Sequence, residues 1–150
     1  MKLPYSYSAA KSYHSADIHG GVESANPHHL VEMLFDGLME RLHQAEAGIV
    51  RGEISVRCNA INKALSILDA LRSALDFESG GNLATSLDDL YDYMQRRLVV
   101  ANARSDLPVL KEVCGLLGDI RTAWKAVPPD QRSVSKTKRK TSSKPRSFQQ

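Results

Sequence analysis

The sequence predicts an all-α protein: an antiparallel up-down-up-down four-helix bundle between a mobile N-terminal segment and a disordered basic C-terminal tail. Three observations carry this prediction. Four runs of about 20 residues repeat apolar side chains at spacings of three and four, the period of one buried helical face. No run alternates with the period of two that marks a half-buried strand. The breaks between runs are roughly 3 to 6 residues, short enough to make consecutive helices antiparallel neighbours. The boundaries read as 1–25 for the N-terminal segment, 26–127 for the bundle and 128–150 for the tail.

The first helix begins at Asn26-Pro27. Asn caps orphan N–H groups, and Pro suits the first helical position, where its missing N–H costs nothing. Its stripe is Leu30, Leu34, Leu38, Leu42, Ala45 and Ile49, and Gly48 and Gly52 bracket its end. The second helix covers roughly 54 to 77 on Cys58, Ile61, Leu65, Leu68 and Leu75. It stops at Ser79-Gly80-Gly81, a strong terminator. The third runs from about 82 to 103 on Leu83, Leu87, Leu90, Met94, Leu98 and Ala101. The fourth starts at Ser105-Asp106, follows Leu110, Val113, Leu117, Ile120, Trp124 and Val127, and ends at Pro128-Pro129. Each apolar side chain of these seams is worth about 1.5–3 kcal/mol when fully buried.

Length and charge narrow the class. A chain of 150 residues makes one domain with a real core. The first 21 residues hold no continuous apolar region, which argues against a secretory signal. No window approaches the roughly 18–20 apolar residues of a membrane span. Cys58 and Cys114 stand alone on apolar stripes and read as reduced core thiols of a cytoplasmic protein. Residues 1–130 carry 13 Lys/Arg against 17 Asp/Glu, a net −4, whereas residues 131–150 carry seven Lys/Arg and no acid, a net +7. That tail has almost nothing to bury and reads as disordered.

The search for chemistry returns little. His28 and His29 are adjacent and point about 100° apart on a helix, so they cannot easily share a metal ion. They read as polar residues of the first turn, with no metal site. Asp88, Asp89 and Asp92 fall opposite the apolar face and read as solvated. Gly80-Gly81 has no phosphate-loop context, and no nucleophile with a base is in evidence. The sequence predicts a protein that is not an enzyme and has no cofactor.

What remains is surplus apolar surface. On a 100°-per-residue wheel, Val56, Ala60, Ile67, Leu71 and Ala74 widen the second helix's apolar arc to roughly 200°, where a bundle helix needs a stripe only somewhat wider than ~100°. On the third helix Tyr91 and Met94 fall on the core stripe or its edge, whereas Tyr93 and Val100 are left beside the bundle. The surplus faces a neighbouring element, a second subunit in a homodimer, or an exogenous peptide. An exposed apolar band of this kind marks a binding surface, and helix-in-groove recognition fits it.

With these residues in view, the chain resembles the flagellin-specific secretion chaperones of the FliS family. The resemblance rests on KSY at 11–13, SANPHHLVEMLFDG at 24–37, NKALSILDAL at 62–71, LYDYMQRRLVVANARSD at 90–106 and EVCGLLGDIRTAWK at 112–125, and covers about residues 9 to 127. It implies a cytosolic helical bundle that holds the disordered C-terminal region of flagellin in apolar grooves. Such a chaperone prevents premature polymerisation and helps deliver the subunit to the flagellar type III export gate. It also implies that a tyrosine of the N-terminal segment, Tyr13 here, acts as a lid over the groove. Combined with the wheel, the expected flagellin contacts are Val56, Ala60, Ile67, Leu71 and Ala74, with Tyr93, Val100 and Asn102. The amide of Asn102 suits backbone groups of a partly extended ligand. The resemblance says nothing about the polybasic tail or about Tyr5 and Tyr7.

The competing class is a helical nucleic-acid-binding protein acting through SKTKRKTSSKPR. Basic runs bind phosphate by releasing counterions. Against specific nucleic-acid binding stand the net acidic bundle and a tail whose only aromatic is Phe148.

Overall fold

The computed structural model describes residues 26–128, and all of its regular structure is helical. The N-terminal segment with Tyr13, expected as a lid, and the tail beyond Pro128 lie outside the described residues. Helix α1 spans Pro27–Arg51, α2 Ile54–Ser73, α3 Phe77–Arg104 and α4 Leu107–Lys125. Connections of two or three residues join them, too short for anything but antiparallel neighbours. α1 packs on α2 and α4, and α3 packs on the same two, which places the four helices at the corners of a square. This is the predicted four-helix bundle.

Local chemistry accounts for the ends. Asn26 caps α1 by accepting from the His28 N–H at 2.9 Å, with Pro27 in the first turn. Gly52 ends α1 at φ 70°, a left-handed C-cap. Asp106 caps α4 through the Val109 N–H at 3.1 Å. Between the helices lies one core: Phe35, Leu38, Leu42, Ile61, Leu68, Met94, Leu98, Leu110, Val113 and Leu117 are fully buried.

Several details differ from the sequence prediction. α2 ends at Ser73 rather than near 77, because Asp76 caps the next helix from its side chain and claims residues 77–80 for α3. The glycine pair therefore interrupts α3 instead of separating two helices: Gly81 sits at φ 52°, ψ −126° inside it. The break resets the stripe, so Ala84 is buried while Leu83, expected in the core, is 62% exposed. His28, read as a polar residue of the first turn, is in that turn but buried, and Phe35, outside the expected stripe, is fully buried as well.

A cleft at one end of the bundle

At the end where α1 and α3 begin and α2 and α4 finish, the core does not close. A cleft of about 260 Å³ remains there. Leu30 and Val31 reach it from α1, Leu71, Ala74 and Leu75 from the end of α2, Leu83, Leu87 and Tyr91 from α3, and Trp124 from α4. The lining is mostly aliphatic and aromatic, with polar groups such as Ser73 and Asp76 at one side. Leu83 and, next to Asp76, Phe77 stand 62% and 52% exposed. An apolar concavity flanked by exposed large side chains is the ordinary form of a ligand groove.

Trp124 is the most tightly positioned member. Its ring stacks on His28 at 4.6 Å and 11° and meets Phe35 edge-on at 6.1 Å and 86°. Its Nε1–H donates to the His28 carbonyl at 3.2 Å. His28 Nε2 lies 3.2 Å from a Glu32 carboxylate oxygen. These contacts join the first turn of α1 to the last turn of α4 and hold the indole against the cleft.

The residues expected from the wheel do not form one surface. Ala60, Ile67 and Leu71 are buried, at 3%, 2% and 2% exposure. The surplus arc of α2 is thus mostly used inside the molecule, which corrects the expectation of an open band along that helix. The ~100° requirement describes a helix resting on one side of a core; α2 sits at a corner between α1 and α3 and packs both flanks of its stripe. Leu71 and Ala74 still reach the cleft, whereas Val56 is exposed in the first turn of α2, near the far end. Tyr93 is half-buried and donates its hydroxyl to Glu112 on α4. Val100 is half-buried, and Asn102 accepts from Arg57 Nε at 3.0 Å, so its carbonyl oxygen is already engaged within the bundle.

Polar ties lie along three seams. Arg72 on α2 binds Asp88 at 2.7 Å and Asp92 at 3.3 Å on α3, so two of the three aspartates expected to be merely solvated form an interhelical clasp. The hydrogen bond that Arg72 donates to the Asp88 carboxylate raises the Arg72 pKa. Arg97 reaches Glu112 across the α3–α4 seam at 2.9 Å, and Arg121 reaches Asp36 across the α4–α1 seam at 2.8 Å. Hydrogen bonds from Tyr93 and Arg97 hold the Glu112 carboxyl below its ordinary range. Both cysteines are free and half-buried; burial, with Glu46 nearby, pushes the Cys114 thiol up to about 11. Among the described residues no three His, Cys, Asp or Glu side chains gather to hold a metal ion. No helix there is long and apolar enough to cross a membrane.

The wheel missed Trp124 and Leu87 as cleft residues, and His28 as the partner that positions the indole, because it treats each helix alone. The usable signal was topological: in an up-down-up-down bundle the end of α4 must meet the start of α1, and Trp124 and His28 occupy those two ends.

The family described as "Flagellar protein FliS" matches residues 9–131. The flagellar secretion chaperone FliS of Salmonella typhimurium is 44% identical over 126 residues, 83% of this chain and 93% of that one. The flagellar secretion chaperone FliSB of Pseudomonas aeruginosa is 42% identical over 123 residues, covering 82% and 98% of the two chains. The flagellar secretion chaperone FliS of Bacillus subtilis is 32% identical over 117 residues, covering 78% and 86%.

Proposed function

The chain belongs to the FliS family of flagellar proteins, and from that premise we propose that it is a cytosolic flagellar secretion chaperone that holds the disordered C-terminal region of flagellin. Holding that region prevents premature polymerisation and keeps the subunit fit for delivery to the type III export gate. The guest lays the apolar face of an amphipathic segment into the cleft between the starts of α1 and α3 and the ends of α2 and α4. The observation that supports this placement is the cleft itself. Aliphatic groups from three helices and the Trp124 ring converge on unfilled space, with Leu83 exposed at its side. Ordering a disordered segment costs about 2–5 kcal/mol, and apolar burial offsets it at about 25 cal/mol per Å². Leu71 and Ala74 remain in the contact set from the sequence, and Leu83, Leu87 and Trp124 join it. Tyr13 keeps its proposed role as a lid.

The test is calorimetry with the C-terminal segment of the cognate flagellin. Leu83→Asp and Ala74→Asp each place a charge at an exposed position of the cleft, so both proteins should keep their helical circular dichroism and lose binding. Normal binding by both would refute the cleft as the site. Binding should persist at ~200 mM salt, where attraction carried by the basic tail alone would collapse. Deleting residues 1–20 should strengthen binding or leave it unchanged if the N-terminal segment is a lid. A complete loss would make that segment part of the site.

A further inference from the structure

Trp124 stands between two environments. It packs against the core as a half-buried residue, and it also lines the cleft. The cleft, at about 260 Å³, is larger than an indole ring. A ring that moves into open apolar space gains burial and dispersion contacts. A loosely held indole beside this cleft therefore turns inward and fills it. The cleft stays open because the ring is held back.

The contacts on the ring do different things. The Nε1–H bond to the His28 carbonyl, at 3.2 Å, fixes one corner and lets the ring turn about it. Phe35 meets the ring edge-on, with centroids 6.1 Å apart, and backs it from the core. The His28 imidazole lies flat against the indole, at 4.6 Å and 11°, and so sets the plane of the ring. That imidazole is itself anchored. It is 3% exposed, and its Nε2 lies 3.2 Å from a carboxylate oxygen of Glu32, one turn further along α1. His28 does not line the cleft, so any effect it has on a guest passes through Trp124.

We infer that His28 is a positioning residue of the site: its stack pins the Trp124 indole to the wall and thereby keeps the cleft open. The inference rests on the chaperone reading for what enters the cleft, but not for where the ring lies. Trp124 is the sole tryptophan of the chain. Its emission in the full-length protein, with no guest present, therefore reads the position of the ring directly.

His28→Gln keeps a polar group near Glu32 and the backbone carbonyl that accepts from Nε1–H, but removes the flat ring. Trp124 emission should shift to the blue and its lifetime-corrected acrylamide quenching should fall, with helical circular dichroism unchanged. Binding of the C-terminal flagellin segment should weaken with the fraction of molecules still open, about tenfold if one in ~10 remains so. His28→Phe restores a flat ring without the Glu32 contact, and should return emission, quenching and affinity toward native values. Rescue by a ring and not by an amide separates positioning from general stabilisation. Native emission and quenching in His28→Gln overturn the inference, as does a red shift with stronger quenching, which puts the freed ring in solvent. A His28→Phe protein as altered as His28→Gln overturns it too, and so does loss of helical structure in His28→Gln, which makes His28 a core residue first. A native chain that binds no flagellin segment refutes the guest and leaves the Trp124 signal to decide on His28. Unchanged affinity in a His28→Gln protein whose indole has moved into the cleft refutes the positioning role alone.

Discussion

The two ends of the bundle are built from the same four helices and differ in how they finish. At the end where α1 turns into α2, Gly48 lets the backbones touch: a Cβ there would lie 2.7 Å from the Arg57 nitrogen and 3.0 Å from its Cα. Arg57 then donates to Asn102 and Ser105, tying the start of α2 to the end of α3. Ala45, Ile61, Leu98, Ala101 and Leu110 fill the space between, all fully buried. At the opposite end small residues, Ala74, Gly80 and Ala84, leave volume unfilled beside Leu83, Leu87 and Trp124. Val50 and Ile54 are exposed at the clamped end too, at 67% and 64%, and neither lines the cleft. Exposed apolar side chains alone do not make a site.

The same substitution at opposite ends of α3 gives the sharpest contrast. Leu98→Ala removes a fully buried side chain and should cost about 2–5 kcal/mol, read as a lowered urea midpoint. Leu83→Ala should stay within about 0.5 kcal/mol of the native stability while weakening flagellin-segment binding about tenfold, the effect of a contact worth ~1.4 kcal/mol. If Leu83→Ala proved as destabilising as Leu98→Ala, the two ends would not differ as described. Gly48→Ala comes next: its new methyl meets backbone that cannot rotate away, so a loss of about 1–3 kcal/mol is expected in thermal melts. Asn102→Ala strips the Arg57 guanidinium of one partner and should cost roughly 0.5–1.5 kcal/mol, with flagellin binding unchanged if the far end carries no site.

The smallest effect concerns pH. The Glu112 carboxyl is held below its ordinary 4.5, so the stability it contributes is complete above that value and is lost as pH falls through the folded one. Urea midpoints of the native chain and Glu112→Gln should differ at pH 7, and the gap should shrink as the pH falls below the carboxyl's ordinary 4.5. A constant gap would show that the Tyr93–Glu112–Arg97 tie is not the titrating element.

Much of the fold was legible because it depends on local patterns. Asn26-Pro27 and Asp106 are cap signals wherever they occur, and leucines three and four apart can share a face only on a helix. The site was less legible. Ile67 illustrates the limit: the wheel put it on a surplus face, where an aspartate would disturb binding alone. At 2% exposure the Ile67→Asp protein is instead expected to unfold, since a charge there has no water and no partner.

The sequence by itself determined that there are four helices, which face of each is apolar, and that short connections make them run up and down. It determined the acidic bundle and the basic tail in the same way, since charge is additive along a chain. Only the tertiary structure decided which apolar residues are consumed by neighbours and which are left over. It set the buried corner position of α2, the meeting of His28 with Trp124, the clasp of Arg72 on Asp88 and Asp92, and the break at Gly81 that falls inside α3 rather than between two helices. The physical reason is that burial is a property of pairs of surfaces. A helix carries its own periodicity, but the surface that covers it is supplied by chain many residues away.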